Sequence, residues 1–327
     1  MAEIKRIVWA VDPIAEDMRL QVKCSHILKT MLKATQAEID PVFVLSPDQL
    51  KMSSAFFPAQ VSDFRVEAEK RLSQYLKKVK IPNVKVATVL VSNDLSLRSA
   101  VHALISYAKS HHSDMIVCST MARKGMSRFL LGSFAETLIM QSDIPVLLVS
   151  PKTVEATKFK EILVPTDFSD KSKETLKRVA ALASQMGSKV VLFHQVEYLT
   201  QYTLDQFGAV PAYQKYVDDD VKQREQTGAK WCEELQARGV KAECVLNKKG
   251  SFAADAILAQ AKKRKSSIIA MASQTGPVAS VLLGSVCRQV IRAAQCPVWV
   301  IHPEGYKSHE AKLGTSNVVY DKGTVIL

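Results

Sequence analysis

The sequence predicts an α/β fold built as two tandem parallel sheets of five strands each. Two observations carry that expectation. The first is an internal repeat. Residues 114–151 read DMIVCSTMARKGMSRFLLGSFAETLIMQSDIPVLLVSP, and residues 266–303 read SSIIAMASQTGPVASVLLGSVCRQVIRAAQCPVWVIHP. Gly132-Ser133 aligns with Gly284-Ser285, and Pro145 with Pro297, at one offset of 152. A register kept that long marks a tandem duplication. The second observation is alternation: short apolar runs alternate with amphipathic segments along both halves. That order calls for a parallel sheet with right-handed crossovers.

In the first half, residues 7–11 (IVWAV) form a strand that stops at Asp12-Pro13. Residues 17–35 place Leu20, Cys24, Ile27, Leu28, Met31 and Leu32 at helical spacing. Residues 39–45 are the second strand, and residues 46–62, with Pro47 and Pro58, are an irregular excursion. A charged amphipathic helix follows over 63–80, with Phe64, Ala68, Leu72, Tyr75 and Leu76 on one face. Strand three spans 84–91, helix three 96–109 and strand four 115–118. A helix opened by Gly132-Ser133 then leads to the last strand, 145–149.

The second half repeats this order. Pro165-Thr166-Asp167 closes its first strand, helix one spans 173–186 with Gly187 as its stop, and strand two covers 190–196. Residues 198–217, with four tyrosines and Pro211, read as the excursion. The long helix spans 218–239, strand three 242–246, helix three 252–265 and strand four 268–271. The last strand is 297–301. Residues 317–327 then read as a small hairpin or an added edge strand.

Composition narrows the class. With 327 residues there is room for two domains of ordinary size. At 47% apolar and 23% charged, the composition is that of a soluble globular protein. No apolar run reaches the ~18 residues of a membrane span. The opening MAEIKRIVWAVD carries an acid and runs straight into a strand, unlike a signal peptide. Six cysteines without C-x-x-C spacing predict reduced, buried thiols and a cytoplasmic setting. The net charge of +12 is shared: residues 1–151 hold 19 basic against 14 acidic residues, and the remainder 25 against 18. Such an excess favours anionic ligands. Specific nucleic-acid binding would need a basic stripe with interleaved aromatics, and none is visible.

In parallel sheets ligands sit outside the carboxyl ends of the strands. Asp12, Asp167 and the loops before both L-L-G-S runs fall at that edge. A helix N-terminus offers unpaired N–H groups and partial positive charge, which suits phosphate. Glycine there lets the backbone approach oxygens, the serine adds a hydroxyl, and a carboxylate at the end of strand one suits a ribose hydroxyl. The structural alternative for each is a tight turn, an N-cap and an Asp capping the next helix.

On these residues the chain resembles the universal stress protein family, over about residues 3–151 and 158–303. The resemblance implies two Rossmann-like five-stranded domains, residues 1–151 and 158–303, related by a pseudo-twofold, with 304–327 as a C-terminal extension. Its nucleotide-binding branch carries G-x2-G-x9-G-[ST]. Carried over, the closing pair falls on Gly132-Ser133 and Gly284-Ser285. The first two glycines fall on Ser119 and Ala122 in one half, and on Met271 and Gln274 in the other. The first loop stays small and basic, with Arg123, Lys124 and Arg128, whereas Met271 and Gln274 would project toward the phosphates. The early Asp of the family falls on Asp12 and Asp167, the latter with Pro165 and Thr166 intact. Its adenine-side contact falls on Val44 and Gln195. The resemblance further implies that the two last strands pair with each other, while association of two chains into a homodimer is left open.

Other features have structural explanations. Lys262-Lys263-Arg264-Lys265 ends a helix, where cations offset the dipole. Asp218-Asp219-Asp220 is expected to open one, and no metal site is read from it. His111-His112 lack a third ligand at metal spacing. Tyr198, Tyr202, Tyr213 and Tyr216 are expected to pack under the excursion. Hydrolase and P-loop signatures are absent. The expected function is a stress-response regulator or sensor that binds an adenine nucleotide such as ATP, or a related phosphorylated metabolite, with Mg only alongside it. The alternative is a protein- or lipid-binding scaffold. Weak ATP hydrolysis is the most that is expected by way of catalysis.

Overall fold

The structure is a computed structural model that describes residues 3–47, 50, 62–92, 94, 96–120, 132–196, 211–273, 283–302 and 322–325. The first half runs β1 (Arg6–Ala10), α1 (Met18–Thr35), β2 (Glu38–Leu45), α2 (Arg65–Val79), β3 (Ala87–Val91), α3 (Leu97–Ser110), β4 (Met115–Ser119), α4 (Ser133–Gln141) and β5 (Val146–Val149). The second runs β6 (Glu161–Pro165), α5 (Asp170–Met186), β7 (Lys189–Gln195), α6 (Pro211–Gln236), β8 (Ala242–Asn247), α7 (Ala253–Arg264), β9 (Ile268–Ala272), α8 (Ser285–Ala293) and β10 (Val298–Ile301). A last strand, β11, covers Lys322–Val325.

All strands share one sheet, ordered β11-β3-β2-β1-β4-β5-β10-β9-β6-β7-β8. Setting β11 aside, the order reads alike from both ends, as a pseudo-twofold between β5 and β10 requires. Those two strands pair antiparallel, with Trp299 opposite Leu147. These residues hold the same place in the two repeats, so the axis passes between them. Antiparallel pairing of β11 with β3 covers one outer edge of the sheet; the earlier part of the expected hairpin, residues 317–321, lies outside the described residues.

Strand side chains alternate between two faces. Ile7, Trp9, Ile39, Phe43, Met115, Val117, Ile162, Val164, Trp299 and Ile301 pack under α1, α2, α5 and α6. Val8, Val42, Ile116, Cys118, Leu163, Val191, Val298 and Val300 pack under α3, α4, α7 and α8. Each layer runs without a break from one half into the other, so the pseudo-twofold lies inside the core. Strands covered on both faces read as continuous apolar runs, which is how the sequence shows them.

Two sequence expectations are corrected here. The long helix begins at Pro211, not near residue 218. Proline at the first helical position loses an N–H that has no partner anyway, so it starts the helix instead of breaking it. Asp218-Asp219-Asp220 therefore lie inside α6. Tyr213 packs beside Val196, Val217 and Val221, whereas Tyr216 stays exposed; Tyr198 and Tyr202 are outside the described residues. The second correction concerns the repeat offset. Asp114 N–H donates to Arg6 O, and Ser267 N–H to Glu161 O. Since Arg6 and Glu161 both open the first strand of their halves, Asp114 corresponds to Ser267, one residue later than the constant offset gives. The stretch from Ser267 to Gly284 is thus one residue shorter than that from Asp114 to Gly132.

The halves have diverged in complementary ways where they meet. Glu136 of α4 and Arg288 of α8 occupy equivalent places and pair across the axis, Nε to Oε1 3.4 Å, both half-buried. Two identical halves would set like charges there. Arg288→Glu should lower stability by about 1 kcal/mol, read as a urea midpoint, and Glu136→Arg with Arg288→Glu should recover most of it.

Candidate functional site

The chain leaves β1 toward β2 and β3, then returns to β4 on the other side of β1. The carboxyl ends of β1 and β4 therefore form a topological switch point, as do those of β6 and β9 in the second half. Ala10 pairs with Cys118, so Asp12 and Ser119 leave adjacent strands at this edge. The α4 crossover from β4 to β5 brings Gly132 and Ser133 to the same edge. Gly132 takes the N-cap place of α4 with no side-chain cap, and Ser133 is exposed.

In the first crevice Asp12 is partly buried, and among the described residues its Oδ1 accepts from a backbone N–H, that of Ile14, at 3.0 Å. Burial pushes its carboxyl up to about 6, against the lowering effect of the N–H groups of Ile14 and Ala15. Val44, near the end of β2, is buried in the layer under α3 and α4. Ser119 Oγ accepts from Gln21 Nε2 at 3.2 Å. Gln21 lies in α1 at 1% exposure, a residue the motif could not reveal; the signal was a glutamine beside the apolar stripe of its helix. Ala122 and Arg123 lie outside the described residues.

The second crevice is built differently. Asp167 Oδ1 accepts from the hydroxyls of Ser169 and Ser172, each at 2.6 Å, and from Ser169 N–H at 3.0 Å. Although burial opposes it, this set holds the carboxyl below its ordinary value. Arg224 of α6 donates to Asp167 O at 2.8 Å while paired with Asp220. Thr166 Oγ1 accepts from Phe168 N–H, and Phe168 is held at a φ of 61°. Gln195 is fully engaged, donating to Val196 O and Lys249 O and accepting from Asn247 and Ser251. Gly284 N–H donates to Ser273 O at 3.3 Å; Ser285 opens α8. Pro165 ends β6 opposite Phe193. Gln274 is outside the described residues.

Met271 does not project toward this edge as the sequence reading expected. It is buried in the layer under α7 and α8, and the shorter loop makes Ala272, not Met271, the counterpart of Ser119. Counting back from Gly284 put the correspondence one residue out.

Two buried histidines back the second half. His194 Nδ1 lies 2.7 Å from Thr166 O, and His302 Nδ1 2.8 Å from Ser273 Oγ. Burial lowers both, His302 to about 4. Burial also raises Cys118, Cys287, Cys296 and Cys244 to about 12 and Cys24 further. These are packing thiols without nucleophilic character at neutral pH.

The fold, with its two switch points, defines a tandem α/β protein of two related halves. The profile of the universal stress protein family matches residues 3–150 and 158–302, so the chain belongs to that family, in tandem form. It is 29% identical over 145 residues, 44% of its length and 82% of the relative, to a universal stress protein of Methanocaldococcus jannaschii. A solved universal stress protein from Archaeoglobus fulgidus DSM 4304 superposes with TM-score 0.61 at 20% identity, covering 92% of this chain and 97% of that one. That likeness is one of fold. An A. fulgidus universal stress protein in complex with dAMP covers 45% of this chain and 98% of its own, at TM-score 0.34 and 22% identity; the dAMP is a property of that protein. No helix among the described residues is long and apolar enough to cross a membrane.

Proposed function

We propose that this chain is a stress-response sensor or regulator that binds an adenine nucleotide, or a related phosphorylated metabolite, at the carboxyl edge of its sheet, and that it works by binding and not by catalysis. One observation carries the reading: Asp12, Ser119 and the Gly132-Ser133 start of α4 converge on a switch point, with a half-positive helix end beside a desolvated carboxylate. Phosphate oxygens suit the backbone N–H groups of the helix start, a ribose hydroxyl suits Asp12, and the base lies toward Val44. A magnesium ion would arrive with the phosphates. Residues 1–151 and 158–303 act as the two domains, 304–327 adds an edge strand, and the protein works in the cytoplasm with its halves paired in place of a homodimer.

The replacement of the family's glycines by Ser119 and Ala122 favours the second reading, a scaffold that no longer takes nucleotide and binds protein or lipid instead. A thermal-shift titration separates the two. Ligand bound to the native state raises the melting temperature by mass action, about 2.7 kcal/mol of stabilisation at a concentration 100 times Kd. ATP or AMP should shift the protein, and Gly132→Trp should abolish that shift. A well-folded protein indifferent to every adenine nucleotide leaves the scaffold.

A further inference from the structure

The two crevices differ in one respect that the motif does not cover. In the first, Gln21 Nε2 reaches Ser119 Oγ, and Gln21 Oε1 is buried with no hydrogen-bond partner. A buried carbonyl left unpaired is costly, and native proteins keep few of them without a water, an ion or a ligand to serve. In the second half the loop before the helix is shorter, and counted from the left-handed helix caps Gln36 and Gly187 and from Ser267 the places of Gln21 and Ser119 are taken by Ser172 and Ala272. Ser172 is buried and donates its hydroxyl to Asp167 Oδ1 at 2.6 Å. The contact from this helix to the end of the fourth strand thus exists in one half only, while the other half turns the equivalent side chain onto its own aspartate. Among the described residues, the first half is also the one whose strand-end carboxylate accepts only backbone N–H groups. Asp167 and Gln195 in the other half spend their hydrogen-bonding capacity on Ser169, Ser172, Asn247, Ser251 and Lys249.

We infer that the first crevice is the ligand site of the chain, that Gln21 is one of its binding residues, oriented by Ser119 to accept a hydrogen bond from a hydroxyl or amino group of the ligand, and that the second crevice is sealed by its own side chains. The inference rests on the small-ligand reading above, but it makes a separate claim. A glutamine held for a ligand weakens the empty protein, whereas a glutamine serving as a strut strengthens it.

Calorimetric titration of the full chain with ATP, alongside thermal melts, tests this. Wild type should bind one equivalent. Gln21→Leu, which removes the amide and its unpaired carbonyl together, should weaken ATP about tenfold and leave the melting temperature of the empty protein unchanged or raised. Ser119→Ala should weaken ATP less, while Gln195→Val in the second crevice should leave ATP affinity unchanged. Two equivalents, with one lost in Gln195→Val, would overturn the inference, as would a Gln21→Leu variant that melts lower and binds ATP normally. If wild type binds no ATP, the nucleotide reading fails, and the melt alone decides on Gln21. A lowered melting temperature then makes it a strut and ends the proposal; a raised one keeps it as a binding residue for a ligand of another class.

Discussion

Trp299→Ala should be the most damaging single substitution in the chain, lowering unfolding free energy by about 3–5 kcal/mol. Trp299 is wholly buried in β10, faces the α1 and α5 side of the core, and stands opposite an equally buried Leu147 across the pseudo-twofold. Truncation removes most of a large ring from a layer that both halves share, and neither half can collapse into the gap without shifting the β5–β10 pairing. A second substitution sharpens the expectation. Leu147→Trp alone overpacks the axis and should cost about 1–3 kcal/mol. Leu147→Trp with Trp299→Leu exchanges the two equivalent places, and because their surroundings are related by the axis, the pair should recover a large part of the loss. Denaturant midpoints for the four proteins form a double-mutant cycle. Additive losses would mean that the two residues do not share one cavity.

The same axis shows what the sequence could and could not tell. The repeat and the strand-helix alternation were legible, because continuous apolar strands and amphipathic helices leave periodic traces; the meeting of the last strands followed from the family resemblance. The start of α6 was not. Pro211 reads as a breaker until the helix is seen to begin on it, and the helix signal lay in Tyr213 and Val217, shared with the loop before it. The motif positions were legible from Gly132 and Gly284 outward, yet counting back across a loop assumes equal loop lengths. One missing residue turned Ala272 into Met271. Gln21 lay beyond the motif's reach altogether, since its partner Ser119 is 98 residues away and only the fold brings them together. Locking of Asp167 by Ser169 and Ser172 was present in the letters P-T-D-F-S-D-K-S, but the same letters serve equally for an open site.

Asp12→Asn and Asp167→Asn should move stability in opposite directions although the two aspartates occupy the same place in the repeat. The carboxyl of Asp12 is pushed up to about 6 by burial, above the ~3.9 of an unfolded chain. Between those values the folded state holds the extra proton, so stability falls as pH rises from about 4 to about 6. At pH 7 the charged carboxylate weakens the empty protein by an amount of order 2 kcal/mol, and Asn should recover much of it as a higher melting temperature. Asp167 is the reverse case, a depressed carboxyl stabilised by two hydroxyls and an N–H. Its contribution is present above the unfolded pKa and is lost as pH falls through the folded value. Asp167→Asn should therefore cost about 1.5–3 kcal/mol at pH 7. Acid separates the variants further. His302, lowered to about 4, binds a proton more readily unfolded, so it removes stability as pH falls from 6.5 toward 4. In wild type Asp12 opposes that loss over the same range; in Asp12→Asn that opposition is gone, so the variant should decline more steeply and meet wild type near pH 4. Melting curves from pH 4 to 8 read all three effects. An Asp12→Asn protein that melts below wild type at pH 7 would mean that this carboxylate serves the fold and not a ligand.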